Sequence, residues 1–174
     1  MNQFLRKNLT KIISINAINK RVKEIAYDMN SKYRSKSPLI IGVLNGSFIF
    51  LADLVRGLKI DNEINFIKAR SYQGKQKSDI IKFDFFNFEN IKGKDIIIVE
   101  DIIDTGSTVS EIRNKMINKA NSVAIAALLL KPQKAKVNFE IDWVGFEIPD
   151  EFVVGYGLDY DQKFRNLKGI YQGI

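Results

Sequence analysis

Four β-branched residues, Ile96-Ile97-Ile98-Val99, run into two adjacent acids and then a small polar turn, and this stretch constrains the chain more than any other. Ile96–Val99 reads as a strand buried on both faces. Glu100 and Asp101 follow. Asp104-Thr105-Gly106-Ser107-Thr108 then leads into a helical pattern with Val109, Ile112, Met116 and Ile117 on one face. Amides at a helix start point outward with partial positive charge, so such a loop suits an anion. Gly106 allows close backbone approach or a positive φ, and Thr105, Ser107 and Thr108 add hydroxyl donors. A phosphate monoester fits this chemistry. A plain capped turn is the alternative, since Thr108 and Glu111 have capping-box spacing. The full length of the pattern favours the phosphate.

In a regular strand Glu100 and Asp101 point to opposite faces. Both can serve one ligand only if the strand ends between them. Two vicinal carboxylates suit two vicinal hydroxyls, as on a ribose, although an exposed acidic strand end would look the same. The chain has no histidine and no cysteine. That excludes Ser-His-Asp and Cys-His catalysis, imidazole or thiolate metal ligation, and disulfides. A general base must be Asp, Glu, Lys or Tyr, and Asp104, beside the anion loop, leads. Neighbouring carboxylates are expected to raise its pKa toward working pH. A metal would be a hard ion on oxygen ligands, Mg²⁺ first.

The remaining segments alternate. Ile15, Ile18, Val22, Ile25 and Met29 mark one face of a helix. Leu39–Leu44 is a short buried strand and Asn45-Gly46-Ser47 a turn. Phe48, Leu51, Ala52, Val55 and Leu58 give the next helix face. Ile64–Ala69 is a strand, Ser71–Asp79 a mobile polar loop, and Ile80–Phe85 a strand or hairpin arm. Ser122–Leu130 is buried strand, as are Ile141–Phe146 and Phe152–Gly157. With 174 residues and no linker or repeat, this is one domain. Its expected class is α/β, a doubly wound, mainly parallel central sheet flanked by helices. Ligands bind such sheets beyond the carboxyl ends of the strands.

The net charge is +7. The lysines are scattered among many Ile and Asn residues, which reads as compositional bias and not as a nucleic-acid surface. Small polyanionic substrates would tolerate this charge. The N-terminus shows no apolar leader, and no apolar run approaches bilayer length. A cytoplasmic protein without membrane or nucleic-acid partners is expected.

Ile96–Thr108 resembles the 5-phosphoribosyl-1-pyrophosphate signature of the type I phosphoribosyltransferases. Leu44-Asn45-Gly46-Ser47-Phe48 resembles that family's pyrophosphate loop, and Ser71-Tyr72 the pair that opens its catalytic loop. Leu129–Pro132 and Val144–Tyr160 are similar to the purine-binding hood of its hypoxanthine and hypoxanthine–guanine branch. The resemblance spans about residues 10–170. It implies a core at about 36–145, a hood from about 1–15 and 146–174, and a flexible catalytic loop at about 71–80.

The roles that follow are those the resemblance implies. Glu100 and Asp101 hold the ribose hydroxyls, directly or through Mg²⁺. Asp104 exchanges the purine N7 proton, and Asp104 to Thr108 bind the 5-phosphate. Leu44, Asn45, Gly46, Ser71, Tyr72 and Arg165 serve pyrophosphate. Lys131 donates to the purine O6, Phe152 stacks on the base, and Val153 offers backbone groups. Asp159 lies at the purine and helps hold Mg²⁺, which gives Glu100, Asp101 and Asp159 as the metal set. Taken singly, Phe152 reads as core, Lys131 as a turn lysine, Asp159 as turn chemistry and Arg165 as a surface cation. Their joint order and spacing favour the functional roles. One departure stands out. Many relatives carry Lys or Arg where this chain has Asn45, which removes a positive charge from the pyrophosphate loop.

The resemblance implies purine salvage: Mg²⁺-dependent transfer of phosphoribosyl to N9 of hypoxanthine, and of guanine, by a homodimer or homotetramer. A guanine- or xanthine-preferring transferase is the rival within the class. A non-catalytic regulator that senses the pyrophosphate sugar and binds RNA is the rival outside it. The chain lacks an added nucleic-acid-binding segment and keeps a candidate base, which argues against the regulator.

Overall fold

The computed structural model describes residues 9–72, 80–84 and 86–173. The order of elements is β1 (Thr10–Ile13), α1 (Ile15–Lys32), β2 (Leu39–Leu44), α2 (Phe48–Gly57), β3 (Glu63–Tyr72) and β4 (Ile80–Asp84), then a 3₁₀ turn (Phe88–Ile91). There follow β5 (Asp95–Ile103), α3 (Ser107–Met116), β6 (Ser122–Leu130), β7 (Trp143–Glu147), β8 (Val153–Val154) and β9 (Ile170–Gln172). Among the described residues no helix is long and apolar enough to cross a membrane.

Six strands form the main sheet in the order β4-β3-β2-β5-β6-β7. All neighbours are parallel except the β3–β4 edge pair. Side chains alternate across the sheet, so the apolar run of β5 supplies two cores. Ile97 and Val99 join Ile40 under α1 and α2. Ile96 and Ile98 join Ile41 under α3. These four β5 residues have no exposed surface, which explains why the strand is apolar without alternation. Helix α1 buries Ile18, Val22, Ile25, Ala26 and Met29 at helical spacing, and the Ser14 hydroxyl caps it by accepting from the Ala17 amide at 3.2 Å. A three-stranded antiparallel sheet, β1-β9-β8, stands apart from the main one. The N-terminal residues 1–8 assigned to the hood lie outside the described residues, and β7 in the main sheet runs to Glu147.

Several elements differ from the sequence reading. Helix α2 buries Leu51 and packs Val55 and Leu58 against the core as expected, but Phe50 and Leu54 are its other buried residues and Phe48 is exposed, so its apolar face is broader than the expected one. Its mostly apolar sequence allows more than one stripe. Strand β3 extends through Ser71 and Tyr72, because it pairs with β4 up to that point. The expected strand Phe152–Gly157 is reduced to Val153–Val154. Beyond it the chain turns, with positive φ at Gly155, Tyr156 and Gly157.

Candidate active site

The carboxyl ends of β2 and β5 and the start of α3 enclose a cavity of about 290 Å³. Leu44, Asn45, Gly46, Glu100, Asp101, Asp104, Thr105, Gly106, Ser107, Thr108, Asp159 and Arg165 all line it. Twelve sequence-picked residues from four separate stretches therefore meet in one place.

The anion loop is built on Gly106. It is the N-cap of α3 with φ 83°, and a Cβ there would stand 2.4 Å from Val137 Cγ1. Only glycine meets both demands. The helix begins at Ser107, and no side chain caps it. The expected Thr108–Glu111 capping box is therefore absent, since Thr108 already lies within the first turn. Instead the Thr105 and Ser107 hydroxyls sit 3.0 Å apart, and the Ser107 amide donates weakly to Thr105 Oγ1 at 3.4 Å. Two hydroxyls thus stand beside the uncapped first turn of α3, a place whose chemistry suits an anion.

The acid pair departs from expectation. Strand β5 does not end between Glu100 and Asp101 but continues to Ile103. Both still line the cavity, and both side chains accept from the strand's own amides. The Asp101 amide donates to Glu100 Oε1 at 3.3 Å, and the Ile102 amide to Asp101 Oδ1 at 2.9 Å. Burial, and then the Asp101 carboxylate, push Glu100 well above its usual pKa. Burial also raises Asp101, opposed by bonds from Glu100 and the backbone and by the Arg165 charge. A Cβ on Gly46 would stand 1.5 Å from Asp101 Oδ2, so the loop after β2 presses directly on this acid. The Leu44–Asn45 peptide opening that loop is cis.

This donor set fits a hard cation. Two adjacent carboxylates whose ionised forms are disfavoured by burial would gain from a divalent ion, and oxygen ligands suit Mg²⁺. No group of three acidic, His or Cys residues forms a metal cage among the described residues. Asp159, expected in the metal set, instead pairs with Arg165 at 2.8 Å. A site with two carboxylates matches Mg²⁺ held partly by water and substrate phosphates. Arg165 also donates to the Gly157 carbonyl at 2.8 Å.

Asp104 has cations for neighbours, not the carboxylates expected. Lys134 Nζ is 3.0 Å and Lys131 Nζ 3.4 Å from its oxygens. Asp104 Oδ1 is buried and without a hydrogen bond of good geometry. Lys131, Phe152 and Val153 lie outside the cavity lining, and Lys131 connects to it through Asp104. Lys131 is buried and also meets Asp150 at 3.0 Å. Phe152 is 53% exposed with its ring edge-on to Tyr160 at 5.9 Å, so it is not core. Val153 is buried in β8. Ser71 and Tyr72 close β3, but their side chains and residues 73–79 of the expected catalytic loop lie outside the described residues. Lys134 and Asp150 were not picked from the sequence. The lysine pair Lys131/Lys134 flanking a turn after a buried strand is the one signal that could have found the former.

The family described as phosphoribosyl transferase domain matches residues 8–161. Hypoxanthine phosphoribosyltransferase of Escherichia coli K12 is 41% identical over 154 residues, 86% of each chain. Hypoxanthine-guanine phosphoribosyltransferase of Streptococcus pyogenes serotype M3 is 42% identical over 173 residues, 98% of this chain and 95% of that one. The solved structure of Trypanosoma cruzi hypoxanthine phosphoribosyltransferase in complex with the product IMP superposes with a TM-score of 0.87 at 32% identity, covering 94% of this chain and 93% of that one.

Proposed function

The chain belongs to the phosphoribosyl transferase domain family, and we infer that it transfers the 5-phosphoribosyl group of 5-phosphoribosyl-1-pyrophosphate to hypoxanthine in purine salvage. The products are IMP and pyrophosphate. Guanine is a second substrate on this reading, in keeping with the hypoxanthine-guanine relative. Neither the regulator nor the guanine- or xanthine-preferring alternative is favoured by relatives named as hypoxanthine and hypoxanthine-guanine transferases.

One observation carries the reading. An anion loop at the start of α3 and a pair of buried acids share one cavity with Asp104. A phosphorylated ribose presents both a phosphate and two hydroxyls to such a cavity. On this reading residues Asp104 to Thr108 hold the 5-phosphate, and Glu100 and Asp101 hold the ribose hydroxyls. Leu44, Asn45, Gly46, Ser71, Tyr72 and Arg165 serve pyrophosphate. Mg²⁺, held by Glu100 and Asp101 together with substrate oxygens, would neutralise the leaving group when bound.

The chemistry then follows from charge. The C1–pyrophosphate bond breaks to leave an oxocarbenium-like ribose, and purine N9 forms the new bond from the opposite face. Asp104 accepts the proton given up at N7. The Lys131 and Lys134 ammonium groups lie beside its carboxylate. Lys131 donates to O6, which selects a 6-oxo over a 6-amino purine. Exposed Phe152 offers a stacking face, and Val153 and Asp159 border the base. Water would trap the cationic ribose, so closure over the site is needed.

A homo-oligomer, dimer or tetramer, is part of the proposal. Ile64 and Phe66, two apart on β3, share an exposed apolar face that a second copy would cover. The location is taken as cytoplasmic, because the polyanionic sugar cannot cross a bilayer unaided. A spectrophotometric assay with the pyrophosphate sugar, Mg²⁺ and each of hypoxanthine, guanine, xanthine and adenine tests the reading. Turnover of hypoxanthine is expected, and no turnover with any purine contradicts it.

A further inference from the structure

Four charges close a ring beside the cavity. Lys131 meets Asp104 at 3.4 Å and Asp150 at 3.0 Å, while Lys134 meets Asp150 at 3.3 Å and Asp104 at 3.0 Å. Each ammonium touches both carboxylates. The backbone makes the arrangement rigid. The Lys131 amide donates to the Ile103 carbonyl at the end of β5, and the Lys134 and Ala135 amides donate back to the Lys131 carbonyl. Asp150 arrives just after the Ile148 amide has bonded to the Leu130 carbonyl at 2.9 Å.

The longest side of the ring is Lys131–Asp104. On the transferase reading, these two residues meet the C6 and N7 edge of the purine. A 6-oxopurine carries a carbonyl acceptor at C6 beside an N–H donor at N7. That edge can enter between Lys131 and Asp104, giving the ammonium an acceptor and the carboxylate a donor. Opening that side costs each residue one ionic partner. The Lys131 side chain is only 7% exposed, so an unpaired charge there would be expensive.

We propose that Lys134 and Asp150 are positioning residues for purine recognition, an assignment that rests on the transferase reading: Asp150 holds Lys131, and Lys134 holds Asp104, when the 6-oxopurine opens the ring between them. A 6-aminopurine presents a donor to the Lys131 donors. It must break the same ion pair and returns no acceptor, so the closed ring rejects it. The charges of the holding pair are reinforced by their partners. Asp104 and Asp150 raise the Lys134 pKa, and Lys131 and Lys134 lower that of Asp150.

The test is steady-state kinetics on Lys134→Gln, Asp150→Asn and Lys134→Arg with hypoxanthine, adenine and the pyrophosphate sugar. Both side chains are substantially exposed, so the fold should survive each change, and a thermal melt checks this. Lys134→Gln and Asp150→Asn should each raise the hypoxanthine KM about tenfold or more. The KM for the sugar should stay the same, the preference for hypoxanthine over adenine should narrow, and Lys134→Arg should restore most of the loss. Unchanged purine KM and unchanged discrimination in both neutral variants overturn the proposal. So does a parallel rise in KM for both substrates, which marks a merely structural role. No turnover by the wild type overturns the transferase reading itself, and the proposal with it.

Discussion

Gly157 lies directly on the main chain of Gly46: a Cβ at position 157 would stand 2.0 Å from the Gly46 carbonyl oxygen. Its φ is 105°, so an L side chain is disfavoured there twice over. The contact joins the loop after β2 to the segment that carries Asp159 and Arg165. The Gly157 amide donates to the Arg165 carbonyl at 2.9 Å, and the Arg165 side chain donates back to the Gly157 carbonyl. Gly157→Ala should cost roughly 1–3 kcal/mol of stability and raise the KM for the pyrophosphate sugar more than that for purine. Denaturant unfolding and two-substrate kinetics check this, and wild-type values in both would show the contact to be dispensable.

Glu100 sits buried beside a second carboxylate, and its pKa is raised well above the ordinary 4.5. A group raised on folding contributes its full stability below its unfolded value and loses it as pH rises through the folded one. Near neutral pH the pair is therefore a burden on the free protein. Glu100→Gln should raise Tm at pH 7.5 by roughly 2–4 °C while lowering turnover. A variant that is both less stable and less active would contradict this account of the acid pair.

Phe152 is exposed, so its removal should spare the fold. Base–aromatic stacking contributes about 1–3 kcal/mol, and Phe152→Ala should raise the hypoxanthine KM roughly 5–100-fold. Tm should move little. A large fall in Tm with unchanged KM would return Phe152 to the core.

Tyr33, 2% exposed at the end of α1, has its hydroxyl pushed up to about 12 by burial and then by Asp142 and Asp95. Its contribution is complete below pH 10 and is lost as pH rises toward 12. Wild type should therefore lose stability between these pH values by about 2 kcal/mol more than Tyr33→Phe does. Parallel pH profiles of the two proteins would show that the Tyr33 hydroxyl does not resist ionisation.

The buried strands and the turn at Gly106 were legible because their signals are local. Ile96–Val99 is apolar on both faces, and Gly106 marks a positive φ at a helix start. The face of α2 was read only in part because most of its residues are apolar, and the choice of Phe50 and Leu54 over Phe48 is made by the sheet beneath. The end of β5 was misplaced because pairing with β6 carries the strand past two acids that local preference would put at its end. The charge ring was missed for another reason. Asp104 and Lys134 are far apart in sequence, and Asp150 joins them only after β7 is in place, so no spacing announces the contact.

The most direct test of the central claim is the rate of IMP formation from hypoxanthine and the pyrophosphate sugar by wild type and Asp104→Asn, at saturating substrates and Mg²⁺. If Asp104 moves the purine proton in a phosphoribosyl transfer, wild type turns over and the variant loses about 10²–10⁴-fold in kcat, with the sugar still bound. Wild-type turnover by the variant would remove Asp104 from the chemistry, and a wild type that forms no IMP would contradict the assigned reaction.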